Sequence, residues 1–272
     1  MNVDDLLAAY LDEQIHEARK LDDSYSVLWA HIKELVLRGG KRTRPRLVME
    51  TYKKYGGEDL VCILPVAAAW EMLHVGLLIH DDIMDGDFER RGEPNIAGIY
   101  GDNNVALLAG DLCLGSANDL ILNASLKNSL KIKILQLLQG IYKEVTAGQL
   151  LDIDSHKHDP LLVARYKTAS YSFVGPMISG AMMAGATDDN LLVLREVGIK
   201  HGIAYQLQND LEDVEQDMAA GRNSTVIQAM DDLGSLDEAR AAIRNLIIKL
   251  AEREGFEPSM ELLPYRLSKA AH

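Results

Sequence analysis

Cysteine is almost missing from this chain: its 272 residues include only Cys62 and Cys113. Both lie in apolar surroundings, and their spacing fits neither a metal site nor a disulfide framework, so they read as buried thiols in a reducing compartment. Proline is scarce too, at 7 residues, and nowhere do β-branched residues alternate as strands require. These absences exclude a disulfide-stapled or sheet-rich fold and leave helix as the expectation. Positive charge is in deficit. Lys and Arg number 28 against 41 Asp and Glu, for a formal charge of −13, which repels nucleic acid and anionic membrane surfaces over most of the molecule. No extended basic face with interleaved aromatics compensates, so no nucleic-acid partner is expected. The opening residues carry Asp4 and Asp5 where an export signal needs basic groups, and a cytoplasmic location is expected. Low-complexity linkers, heptad arrays and short-period repeats are all lacking.

What is present is apolar and periodic. A hydrophobic content of 47% is ample for a packed core, and a single domain over residues 1–272 is expected. Amphipathic spacing predicts helices up to Arg19, over 24–38, and on through Pro45 to Tyr55, with Gly39-Gly40 and Gly56-Gly57 as terminators. A strongly apolar helix follows and ends in "HDDIMD". After a polar loop over 86–103, further helices are expected over 105–122, 127–151, 160–185, 189–218, 224–233 and 236–254. Residues 60–79 approach the ~20 apolar residues of a bilayer span, but Pro65, Glu71 and His74 interrupt them. No membrane span is expected, because a helix apolar all round also fits the centre of a large helical protein. The fold class is all-α, built from long helices.

Two acidic arrays stand out. In "LLIHDDIMDGDFERRG", residues 77–92, Asp81 and Asp85 fall on nearly one line of a helix, with Asp82 about 100° away. Carboxylates gathered at a helix C-terminus oppose one another and the helix dipole. A hard divalent cation removes both conflicts, since Mg²⁺ takes carboxylate oxygens while keeping waters and phosphate oxygens in its shell. The second array, "YQLQNDLEDVEQD" over 205–217, spaces Asn209, Asp213 and Asp217 one helical turn apart with Asp210 beside them. Two such helices facing each other across a cavity can clamp several Mg²⁺, which suits a diphosphate. A basic island, "RGGKRTRPR" over 38–46, brings Arg38, Lys41, Arg42, Arg44 and Arg46 to a glycine turn that opens a helix, a ready anion site. Arg90 and Arg91 add a positive pair beside the first array. Gln149, Asp152, Lys167, Thr168 and His74 are weaker signals, each by itself an ordinary polar or core helix position.

Together these motifs resemble the trans-isoprenyl diphosphate synthases, the head-to-tail prenyltransferases. The matches are Gly39-Gly40-Lys41-Arg42-Thr43-Arg44-Pro45, "LHVGLLIHDDIMD" followed by "RRG", Gly110-Asp111, Gly148-Gln149 with Asp152, Lys167-Thr168 and "YQLQNDLED", in the family's order from residue 39 to 213. The resemblance implies a single-domain bundle of long helices around a central apolar cavity, usually in a homodimer. It implies an Mg²⁺-dependent enzyme, with three ions per site once substrate is bound, that ionises an allylic diphosphate and condenses it with isopentenyl diphosphate. Metal would be held by Asp81, Asp82, Asp85, Asn209, Asp210 and Asp213. Lys167, Thr168 and Gln206 would act on the allylic side, with Arg90 attending its diphosphate. Gly40, Lys41, Arg44, His74 and Arg91 would bind isopentenyl diphosphate.

The chain departs from the family in places. Asn209 stands where the second motif normally begins with Asp; its amide oxygen can still ligate a hard cation, with less charge to offer. The following segment "DMAAGRNSTV" is short and offers only Arg222 where the family usually has a diphosphate-binding Lys, and the terminal "LPYRLSKAAH" is abbreviated. Asn209, Asp213 and Asp217 also resemble the metal motif of class I terpene cyclases, which have no use for isopentenyl diphosphate. A third reading is a catalytically weak or regulatory subunit of a heteromeric synthase. Product length is read from Gly76 and Leu77, just ahead of Asp81. Gly76 leaves room at that depth, so a geranylgeranyl or longer product is expected over farnesyl, with Trp70, Met72 or Leu73 as the floor.

Overall fold

The computed structural model describes residues 2–154, 158–220 and 224–252. The expectations on Arg222 and the C-terminal tail lie outside the described residues, as does the side chain of Asp217. The chain forms two compact units, Met1–Leu135 and Gln136–His272.

The first unit opens with α1 (Val3–Arg19), started by a reciprocal cap. Asn2 accepts from the Asp5 amide at 2.9 Å, and the Asp5 carboxylate accepts from the Asn2 amide at 2.8 Å, satisfying two donors that a bare helix start leaves open. Leu7 and Leu11 are fully buried, and α1 packs against α2 (Asp23–Leu37), which Asp22 caps. After α3 (Thr43–Lys54) comes α4 (Leu60–Asp85), where the Asp59 side chain accepts from the amides of Val61 and Cys62. Pro65 withholds one helical hydrogen bond near the α4 start, opposite Val61, which is 61% exposed, a place where water replaces the lost donor cheaply.

The helix α4 packs against α1, α3 and α6 (Asn103–Leu122). It is long and apolar enough to cross a bilayer by length and composition, but 72% of its apolar window is buried within the protein. Ile63, Trp70 and Met72 have no exposed surface at all, as the expectation of a core helix requires.

The polar stretch 86–103 holds more order than its composition suggests. A two-stranded hairpin, β1 (Glu89–Arg90) and β2 (Glu93–Pro94), and a short helix α5 (Ile96–Tyr100) lie within it. The hairpin reverses through Arg91 and Gly92, both left-handed with φ of 59° and 76°, the geometry whose twist suits a two-residue hairpin. Asn95 secures the exit: its amide donates to the Asp87 carbonyl at 2.8 Å and its oxygen caps α5 through Gly98.

The division between units falls within α7 (Asn128–Ile153). The second unit continues with α8 (Pro160–Val163), a π-helix over Ala164–Val174, α9 (Gly175–Met183), α10 (Asp188–Ala220), α11 (Thr225–Leu233) and α12 (Leu236–Glu252). Leu207 and Val214 of α10 join Val226, Ile243 and Ile247 in one apolar cluster. The expected all-α class holds, with the hairpin as the one strand pair among the described residues.

Candidate active site

The first acidic array divides into two kinds of carboxylate. Val75, Ile79 and Asp82 form one buried stripe of α4, with Asp82 only 3% exposed, whereas Asp81 is half-buried and Asp85 exposed. Burial pushes the Asp82 carboxyl up from its ordinary pKa, and the hydrogen bonds from Arg90 oppose that shift. Both Asp82 oxygens accept from Arg90 Nε, at 3.0 and 3.1 Å, and Arg90 Nη2 closes the pair. The hairpin therefore folds back so that Arg90 neutralises a buried acid. Asp82, expected as a metal ligand with Asp81 and Asp85, accepts from Arg90 here, while Asp81 and Asp85 lie on the more exposed line of the helix.

The basic island is tied to the same hairpin. Arg38 donates to the Pro94 carbonyl at 3.1 Å and pairs with Glu93 at 3.0 Å, while Arg91 donates to the Gly39 carbonyl. Gly40 lies close against this side chain: a methyl carbon there would come 3.1 Å from Arg91 Nη2. Gly39, Gly40, His74, Arg90 and Arg91 are thus held in one neighbourhood, and all but Gly40 line a pocket with Arg38 and Glu71. Burial lowers the His74 pKa well below its usual value, and the charges of Arg44, Arg90, Arg91 and Arg42 lower it further, so the ring is neutral at pH 7. Lys41 is exposed and Arg44 half-buried on the first turn of α3.

This has a consequence for folding. A histidine whose folded pKa is depressed binds fewer protons folded than unfolded, so its stabilising contribution is present above the unfolded value of about 6.5 and is lost as pH falls. Urea midpoints of the wild type should therefore drop more steeply between pH 6.5 and 5 than those of His74→Gln, by up to about 1.4 kcal/mol per pH unit. Parallel pH profiles would show the ring to be solvated.

The sequence places the product-length residues differently from what the structure shows. Gly76 is buried against α6: a methyl carbon there would lie 3.0 Å from the Gly110 carbonyl oxygen and 3.0 Å from Leu114. Gly110 in turn makes room for His80, whose Nε2 lies 3.2 Å from the Leu107 carbonyl. The space beside Gly76 is narrowed by this helix crossing, which weighs against the expectation that it leaves room for product. Leu77, half-buried one turn before Asp81, keeps its candidacy. Trp70, Met72 and Leu73 are at most 1% exposed.

In the second unit, Lys167 and Thr168 sit on the π-helix, a geometry that recurs at functional sites. Two glycines fit it. A methyl at Gly148 of α7 would overlap the backbone of Tyr166 and Lys167, and one at Gly202 of α10 would overlap Ala169. Lys167 Nζ lies 2.5 Å from the Asp152 carboxylate. Thr168 Oγ1 donates to Gln206 Oε1 at 2.7 Å, Gln206 Nε2 donates to Asp210 Oδ1 at 2.7 Å, and the Thr225 amide donates to Asp210 Oδ2 at 3.0 Å.

Asp210 repeats the logic of Asp82. It continues the buried stripe Leu207–Asp210–Val214, is 7% exposed, and has its carboxyl pushed up by burial against the bonds from Thr225 and Gln206. Expected as a metal ligand, it accepts here from Gln206 and from the Thr225 amide at the α11 start. Asn209 is half-buried and Asp213 exposed. Asp210→Asn would turn a donor toward either Gln206 Nε2 or the Thr225 amide. A loss of about 1–3 kcal/mol is expected, read from denaturation midpoints, while exposed Asp213→Asn moves them by under about 0.5 kcal/mol.

Among the described residues, no three His, Cys, Asp or Glu side chains converge on a metal position. Each unit offers its own oxygen ligands, and their hard, anionic character suits Mg²⁺. Glu71 was not read as a site residue from the sequence; its signal was a lone acid inside an apolar helix, since buried charges come paired.

An all-α chain with aspartate arrays on long helices and an arginine-lined anion pocket has the features of the isoprenyl synthase class. A solved structure of geranylgeranyl pyrophosphate synthase from Corynebacterium glutamicum, complexed with isoprenyl diphosphate and magnesium, matches with a TM-score of 0.81 and 26% identity, covering 92% of this chain and 89% of that one. A polyprenyl synthetase profile matches residues 26–229, and the chain belongs to that family. It is 35% identical over 212 residues to a short chain isoprenyl diphosphate synthase of Methanocaldococcus jannaschii, covering 75% of this chain and 62% of the relative. It is 30% identical over 217 residues to a geranylgeranyl diphosphate synthase of Methanosarcina mazei, covering 78% and 62%. The chain thus spans somewhat under two thirds of the length of both relatives.

Proposed function

We propose that the protein is a prenyltransferase that condenses isopentenyl diphosphate with an allylic diphosphate, giving a product of geranylgeranyl length or longer. The observation that carries this reading is the arginine-lined pocket over 38–91 beside an aspartate array, a pairing that a cyclase using one diphosphate substrate does not need. In the proposed reaction the allylic C–O bond breaks with its electron pair leaving on diphosphate. The isopentenyl double bond then supplies the pair for the new C–C bond, and a proton departs from the adjacent carbon.

Asp81, Asp85, Asn209 and Asp213 are assigned as magnesium ligands, three ions per site, and Asp82 and Asp210 as anchors behind them. Bound Mg²⁺ would neutralise charge developing on the leaving diphosphate. Lys167 and Arg90 are assigned to the allylic diphosphate, while Thr168 and Gln206, fixed by Asp210, present oxygen dipoles to the cation. Lys41, Arg44, Arg91 and neutral His74 hold isopentenyl diphosphate. Exposed Leu107, Leu108 and Leu122 on α6 give apolar surface for a homodimer, and a cytoplasmic location accords with the composition.

The test is an assay of the purified protein with Mg²⁺, isopentenyl diphosphate and allylic primers of increasing length. Diphosphate release with longer prenyl chains supports the reading. Diphosphate release from the allylic substrate alone, with a hydrocarbon product, favours a cyclase; rescue only by a second subunit favours a regulatory role.

A further inference from the structure

We propose that Arg42 and Glu71 are a positioning pair that sets the Gly39–Lys41 turn for diphosphate, and that Arg42 does not itself bind the ligand. The inference rests on reading the neighbouring pocket as the isopentenyl diphosphate site. Glu71 is 4% exposed in the most apolar helix of the chain, where a carboxylate requires a close cation. Arg42 Nη1 donates to its Oε1 at 2.6 Å. The other Glu71 oxygen, Oε2, is buried without a hydrogen-bond partner, so the compensation rests on Arg42.

The same guanidinium donates through Nη2 to the Val36 carbonyl at 2.7 Å and through Nε to Asp4 at 2.8 Å. Three of its five N–H groups, one on each nitrogen, thereby donate to protein acceptors, on α4, α2 and α1 in turn, although Arg42 also borders the pocket. This grip explains a backbone oddity. Arg42 precedes α3 in the left-handed region, with φ 46° and ψ 39° and no side-chain cap, a conformation that an L-residue keeps only where its surroundings impose it. Gly39 and Gly40 before it also have positive φ, 104° and 150°. The turn is therefore held from one side by Arg42 and from the other by Arg91 on the Gly39 carbonyl. Lys41 is exposed between them. Arg42 has the charge of a ligand-binding residue but the contacts of a scaffold.

Three variants test this: Arg42→Lys, Glu71→Gln and Asp4→Ala. Isopentenyl diphosphate is titrated calorimetrically into magnesium-free protein, with circular dichroism confirming the fold. Arg42→Lys keeps the charge but loses the three-way fork, and Kd is expected to rise about tenfold. Glu71→Gln keeps an acceptor for Nη1 and is expected to weaken binding about threefold. Asp4→Ala removes an arm whose carboxylate is 55% exposed, and the change stays below about twofold. In turnover, KM for isopentenyl diphosphate follows this order while KM for the allylic substrate moves by less than about twofold.

Wild-type affinity in Arg42→Lys, an Asp4→Ala effect equal to it, or a parallel rise of both KM values overturns the proposal. Should Arg42→Lys not fold, Glu71→Gln decides alone, unchanged binding overturning it. A wild type that binds isopentenyl diphosphate but forms no product overturns the functional reading and leaves the pair to be judged by the Kd series.

Discussion

Asp81→Asn is expected to lower kcat by about a thousandfold, equivalent to about 4 kcal/mol of transition-state stabilisation, while leaving the fold intact. The asymmetry follows from where the residue sits. Asp81 is half-buried in the last turns of α4, where a carboxylate opposes the helix dipole and repels its neighbours, so its replacement costs the free protein little. Its charge also pushes Asp82 upward in pKa, and the exchange relieves that. Midpoints of urea unfolding should thus move by less than about 1 kcal/mol. Raised Mg²⁺ should recover part of the lost rate if the lesion lies in metal affinity. Asp82→Asn is expected to do the reverse, weakening the anchor of Arg90 and destabilising by about 3–5 kcal/mol. Equal loss of turnover and stability in Asp81→Asn would remove Asp81 from the metal site.

Gly76→Phe is expected to destabilise the protein by about 3 kcal/mol or more, since a phenyl group must enter a crossing that already excludes a methyl. A fall in Tm of about 6–12 °C is the measurable form of that cost. The nearest atoms to a carbon placed there are the backbone oxygen of Gly110 and the Leu114 side chain, both at 3.0 Å, and only the leucine can yield. Leu77→Phe, by contrast, alters a half-buried position on the Asp81 line and is expected to shorten the main product with a small change in Tm. A well-folded Gly76→Phe with shortened product would reverse the assignment of the two positions.

Much of this architecture was legible in the residues because local rules decided it. Gly39-Gly40 and Gly56-Gly57 ended helices as expected, and the apolar run of α4 went to the core. The hairpin and α5 escaped because Arg91-Gly92 and the Asn95 cap are turn chemistry inside a polar stretch with no hydrophobic period. The π-helix escaped because the residues packed closely on it, Gly148 and Gly202, are distant in sequence. Within the site, composition grouped Asp82 with Asp81 and Asp210 with Asn209. Helical phase separates them: Val75–Ile79–Asp82 and Leu207–Asp210–Val214 are apolar stripes with one acid each, and such an acid signals a buried partner. The long-range pairs, Arg42 with Glu71 and Lys167 with Asp152, could not be matched from local sequence, although Glu71 alone in an apolar helix signalled a buried partner.

The widened winding at Ala164–Val174 also bears on how this segment tolerates change in length. Loosening from i→i+4 to i→i+5 bonding accommodates an extra residue without shifting the chain on either side. Loss of a single residue there would let the coil tighten and swing the upstream ammonium and hydroxyl by about 100° around the axis. A one-residue deletion here is thus expected to cost more at Lys167 and Thr168 than a one-residue insertion.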